Sequence, residues 1–86
     1  MNMKDRLEYA VLDIGRYIDK KWNFLAMDED GEFWMFESEP KINSINNGWC
    51  VDKGGENDEL VLGLPYKGDW KESLVDIKYV MGEPND

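Results

Sequence analysis

The chain has 86 residues, with ten Lys and Arg against nineteen Asp and Glu, no histidine, and a net charge of −9. That length holds one domain, which buries only about 60–65% of the surface of its unfolded chain, so its core has to be dense in the four Trp, four Tyr, three Phe and five Met it contains. A chain this acidic is repelled by nucleic acid and anionic membrane and drawn to basic surfaces, and its lone Cys50 excludes an internal disulfide.

Residues 5–21 read as an amphipathic helix. Leu7, Ala10, Val11, Ile14, Tyr17 and Ile18 recur at three- and four-residue spacing and share one face. Asp5 near the start and Lys20 and Lys21 at the end complement the helix dipole. Gly15 weakens the helix by about 1 kcal/mol against Ala and marks a close approach of another element. Residues 23–28 and 32–38 then alternate as the two strands of a β-hairpin, closed by Asp28-Glu29-Asp30-Gly31, in which Gly31 can take positive φ. Both faces of this hairpin are largely apolar.

Pro40 ends the second strand, and residues 41–48 read as a connector. Trp49 to Val51 form a third strand, residues 53–58 a polar loop, and Leu60 to Leu64 a fourth strand stopped by Pro65. Asp69 is placed to cap a short helix or 3₁₀ turn over Trp70 to Val75, with Glu72 as its capping-box partner. Ile77, Tyr79 and Val80 read as a last strand. The expected architecture is α+β: an N-terminal amphipathic helix packed on a small antiparallel sheet of three to five strands, with a short C-terminal helical turn. Residues 1–81 make the single domain and 82–86 a disordered tail. The expected core is Leu7, Val11, Ile14, Ile18, Phe24, Trp49, Leu62 and Leu74.

The chemistry-bearing residues are few. Without histidine there is no Ser-His or Cys-His nucleophile pair, and Cys50, in a strand beside Trp49, reads as a small buried hydrophobe. Asp28, Asp30 and Glu32 resemble the opening of a calcium loop, but Gly31 comes too early and position 39 is reached only after a strand. Gly54-Gly55 lacks the Lys-Ser/Thr and the strand-to-helix context of a phosphate loop. No basic patch is interleaved with aromatics, so direct nucleic-acid binding is not expected. No carboxylate pair stands out for hydrolysis. The expectation is a non-enzyme without cofactor or metal.

Two signatures carry a resemblance. Ala26-Met27-Asp28-Glu29-Asp30-Gly31, the aromatic strand Phe33 to Phe36 and Glu39-Pro40 form the first. Gly68-Asp69-Trp70-Lys71-Glu72-Ser73-Leu74-Val75 forms the second. In this order they resemble a loose group of small bacteriophage-encoded proteins of uncharacterised function, over about a third of the chain. The resemblance implies a phage origin, an α+β fold and an intracellular life during infection, and it brings no activity with it.

The function expected from this reading is stoichiometric binding. Small, acidic phage proteins without catalytic residues resemble inhibitors of host enzymes or of antiviral defence systems, anti-CRISPR proteins included, with mimicry of DNA as one route. The expected partner is a host or phage protein with a basic surface, in the host cytoplasm. No apolar stretch in residues 1–14 suggests a signal peptide, and none reaches the length of a membrane span. The expected contact is the acidic turn Asp28, Glu29, Asp30 and Glu32 with Trp34 as apolar anchor. The alternatives are a phage structural or assembly factor, or a binder of a small ligand such as a signalling nucleotide. That last role requires convergence of cations drawn from Arg6, Arg16, Lys20, Lys21, Lys41, Lys53, Lys67, Lys71 and Lys78.

Overall fold

Asn2 starts the first helix: its side chain accepts a hydrogen bond from the Asp5 amide at 2.8 Å, which satisfies one of the free donors at a helix N-terminus. The computed structural model describes residues 2–52 and 54–82. Helix α1 (Met3–Ile14) runs into a 3₁₀ turn, Gly15–Tyr17. It is shorter than the periodicity predicts. Ile18 turns extended, and the Asp19 carboxylate accepts from the Lys21 amide at 3.0 Å, a local alternative that competes with helix. Tyr17 is therefore exposed, and Lys20 and Lys21 lie beyond the helix end they were expected to complement. Gly15 does mark a close approach: a Cβ there would fall on the Met81 sulfur.

The hairpin forms where expected, as β1 (Phe24–Met27) and β2 (Phe33–Phe36), paired antiparallel with Leu25 opposite Met35 and Ala26 opposite Trp34. The remaining elements are β3 (Lys41–Asn43), β4 (Gly48–Cys50), β5 (Asn57–Leu60), a 3₁₀ turn at Trp70–Glu72, β6 (Val75–Asp76) and α2 (Ile77–Val80). One antiparallel sheet has the order β5-β2-β1-β6; β3 and β4 make a separate two-stranded sheet. The fold is α+β, as the patterning indicates.

Further segments differ from the sequence reading, among them the turn expected over Trp70 to Val75, which ends at Glu72 and leaves Val75 to β6. The connector 41–48 contains a strand, β3, paired with β4. The fourth strand begins in the polar stretch and ends at Leu60, because β2 offers partners only as far as Phe33, opposite Leu60. Beyond it the apolar run leaves the sheet, and Val61 and Leu62 are 86% and 50% exposed. Finally, Ile77 to Val80 is helical, since Asp76 caps it by accepting from the Tyr79 amide at 3.1 Å. The Gly82 amide then donates to the Tyr79 carbonyl, and residues 83–86 of the expected tail lie outside the described residues.

The core lies between α1 and one face of the larger sheet. Leu7 and Val11 from the helix meet Leu25, Met27, Phe33, Met35 and Val75 from the strands, with Trp22, Tyr66 and Ile77 closing the ends. Of the expected core, Leu7 and Val11 are fully buried. Ile14, Ile18, Phe24, Trp49 and Leu74 are half-buried, and Leu62 is exposed. Tyr66, absent from that expectation, is buried and donates its hydroxyl to the Asp69 carbonyl at 2.7 Å.

Candidate functional site

The acidic turn is built by backbone accounting. Beyond Met27 the Asp28 amide donates to the Glu32 carbonyl at 2.9 Å and the Gly31 amide to the Asp28 carbonyl at 3.0 Å. The Asp30 carboxylate accepts from the Glu32 amide at 2.9 Å, and Gly31 adopts φ 91°, which a side chain would oppose. Turn chemistry therefore occupies Asp30 and Gly31.

Asp28 faces inward. Its Oδ1 accepts from the Trp49 amide at 3.1 Å, and a Cβ at Gly48 would come within 2.8 Å of it. Burial pushes the Asp28 carboxyl above its ordinary value, against the lowering effect of the Trp49 hydrogen bond and with a small raising effect from Asp30. Asp28 thus joins the hairpin to the second sheet, helped by the Glu29 amide donating to the Asn47 carbonyl at 3.1 Å.

The side chains of Glu29, Asp30 and Glu32 are exposed. Strand β5 brings a further carboxylate to them. The proximity of Asp30 and of Glu59 holds the Glu32 carboxyl above the usual glutamate value. Among the described residues none of these four carboxylates has an ion pair; the salt bridges there are Lys21–Glu56 and Lys41–Asp52. Glu59 also sits opposite Trp34 in the β2–β5 register. Of the expected site residues, the structure brings Asp30 and Glu32 together, turns Asp28 inward and keeps Trp34 half-buried. The Trp34 Nε1 is shielded and has no hydrogen-bond acceptor among the described residues. Ala26 and Phe36 beside it in the hairpin are buried, so the second face of the hairpin is not open along its length. Glu59 is the acidic member that sequence reasoning missed, because only the β2–β5 pairing carries it there.

The two sequence signatures meet at Met27. The Met27 amide donates to the Ser73 Oγ at 2.8 Å, and the Met27 carbonyl accepts from the Trp49 indole at 3.0 Å. Trp49 packs edge-on against Trp70 with ring centroids 6.4 Å apart. Asp69 caps the Trp70 turn by accepting from the Lys71 amide at 2.9 Å, and the Glu72 amide donates to the Asp69 carbonyl at 3.0 Å. Much of what the signatures spell is therefore this internal joint.

Concave surfaces lie elsewhere, and two of them bear on function. Arg16, Lys20 and Lys78 line a cleft of about 280 Å³ together with the Asp19 carboxylate and the apolar Trp22 and Ile77, and Lys78 Nζ donates to the Lys20 carbonyl at 2.9 Å. A wider groove of about 610 Å³ runs between α1 and α2. Among the described residues no group of three or more Cys, Asp or Glu side chains is disposed to hold a metal ion, and no helix is long and apolar enough to cross a membrane. No protein-family model matches the chain, and no curated protein and no solved structure matches it significantly.

Proposed function

We propose that this chain acts by stoichiometric binding to a basic surface of another protein, through the edge formed by Glu29, Asp30, Glu32 and Glu59. The observation that carries this reading is the crowding of Glu32 by the like charges of Asp30 and Glu59, with no ion pair to any of the three among the described residues. Like charges held together cost free energy in the unbound protein, and a cationic partner removes that cost. Trp34, half-buried beside Glu59, supplies apolar area at the same edge. Together with the resemblance to small phage proteins, this supports an accessory protein that inhibits a host enzyme or a defence system during infection, in the host cytoplasm. Occupation of a cleft that otherwise holds nucleic acid is one route.

The test is a double variant, Glu29→Gln with Glu32→Gln. It retains Asp28, Asp30 and Gly31, which build the turn. Loss of inhibitory activity together with a shallower salt dependence of binding is expected. Full activity with unchanged salt dependence would remove the edge from the interface. A small anionic ligand would instead be held by Arg16, Lys20 and Lys78, which line one cleft. Titration with pyrophosphate reads that alternative: unmoved amide resonances at Arg16 and Lys78 exclude it.

A further inference from the structure

The groove between α1 and α2 is lined by Asp5, Glu8, Tyr9, Leu12, Tyr79 and Val80. Three of these are large side chains left in solvent: Tyr9 is 59% exposed, Leu12 44% and Tyr79 79%. Scattered single apolar residues on a surface need no explanation, but several lining one concavity do. Their neighbours are carboxylates, and among the described residues neither Asp5 nor Glu8 has an ion pair. The aromatic rings are free in the same sense. Elsewhere the chain covers rings with its own cations, Arg16 over Tyr17, Lys21 over Trp22 and Lys71 over Trp70. Among the described residues no cation covers Tyr9 or Tyr79.

Two carboxylates without an ion pair and two uncovered phenol rings, beside the aliphatic Leu12 and Val80, fit one kind of occupant. A guanidinium or ammonium group is attracted both to the face of an aromatic ring and to a carboxylate, while Leu12 and Val80 offer contact to aliphatic side chains beside it. A second copy of this chain is a poor occupant, because it brings the same net charge of −9. We propose that this groove is a docking site for a segment of a partner protein in which Lys or Arg stands among aliphatic residues. The site goes beyond the acidic edge and lies on different elements, so either surface can fail while the other stands.

The experiment is selection from a random dodecapeptide library on the folded full-length chain. The affinity of the selected peptides is then measured for the wild type, for Tyr79→Ser, for Glu8→Gln and for the edge variant Glu29→Gln/Glu32→Gln. Tyr79 and Tyr9 are exposed, so Tyr9→Ser serves as a second groove variant if Tyr79→Ser lowers the denaturation midpoint. Enrichment of Lys or Arg next to aliphatic residues is expected. So are a roughly tenfold loss of affinity on removing a ring, between the values of an exposed and a desolvated cation–π contact, a smaller loss in Glu8→Gln, and no change in the edge variant. Failure to select any peptide, selection of peptides without cations, or affinity unchanged by the groove variants overturns the proposal. A loss confined to the edge variant also overturns it, and in that case speaks for the acidic edge.

Discussion

At the scale of single residues, Ser73 is the clearest case of a polar group that the fold requires. It is fully buried, yet its Oγ accepts from the Met27 amide and lies 2.7 Å from the Trp70 carbonyl and 3.2 Å from that of Met27. Strand β6 pairs with only Phe24 and Leu25 of β1, so the ladder ends before Met27 and the serine hydroxyl continues it. Ser73→Ala would leave a buried backbone donor without a partner, and the expected loss is about 1–3 kcal/mol. Urea unfolding of the variant measures it, and a change within about 0.3 kcal/mol would mean that water replaces the hydroxyl. The Ser-Leu pair was visible in the sequence as part of a motif, but not its target. Nothing local to residues 70–74 points to Met27, a contact across 46 positions of the chain.

At the scale of elements, what was legible depended on whether the signal was local. The hairpin was legible because alternation and an Asp-Gly turn lie side by side in the sequence. The helix was legible in its first turns, where Leu7 and Val11 bury, and misread at its end, where Asp19 favours a turn over another helical turn. Leu60 to Leu64 shows the opposite error. Its hydrophobicity suggests a strand, but pairing requires a partner, and β2 ends at Phe33. The chain instead makes tight turns, with the Leu62 amide bonded to the Leu60 carbonyl and the Tyr66 amide to that of Leu64, both at 2.8 Å. These turns drop Leu64 and Tyr66 onto the core and leave Leu62 outside. Tyr66→Ala should therefore cost about 3–5 kcal/mol, as for other buried aromatics, whereas Leu62→Ala should stay within about 0.5 kcal/mol. Comparable losses at the two positions in chemical denaturation would contradict this arrangement. The candidate edge follows the same rule: Asp30 and Glu32 were legible because they flank one turn, and Glu59 was not because it arrives by strand pairing.

At the scale of the whole molecule, a net charge of −9 concentrates repulsion wherever the fold brings strands together. The β5 edge gains from its charges, since Asp58 and Glu59 discourage pairing with another chain. That advantage carries an electrostatic cost at Glu32. The carboxyls of Asp30 and Glu59 raise its proton affinity above that of an ordinary glutamate, to which it returns in the unfolded chain. The folded state thus binds more protons than the unfolded state just above the ordinary value of 4.5, and stability through Glu32 falls as pH rises across that window. Its favourable contribution is complete below the unfolded value and lost above the folded one. Glu32→Gln removes this titration and leaves every other carboxylate in place. At pH 7 and low salt the variant should be at least as stable as the wild type. The difference should shrink with added salt and shift in favour of the wild type as pH is lowered through the carboxylate range. Denaturation midpoints at pH 7 and pH 4 provide the comparison, and a variant less stable than the wild type at pH 7 would show that the Glu32 charge is compensated within the chain. The same raised proton affinity makes a signature for binding. A cationic surface docked on this edge lowers the Glu32 value, so complex formation just above pH 4.5 releases protons. Calorimetry in buffers of different ionisation enthalpy would detect that release, and it should disappear in Glu32→Gln.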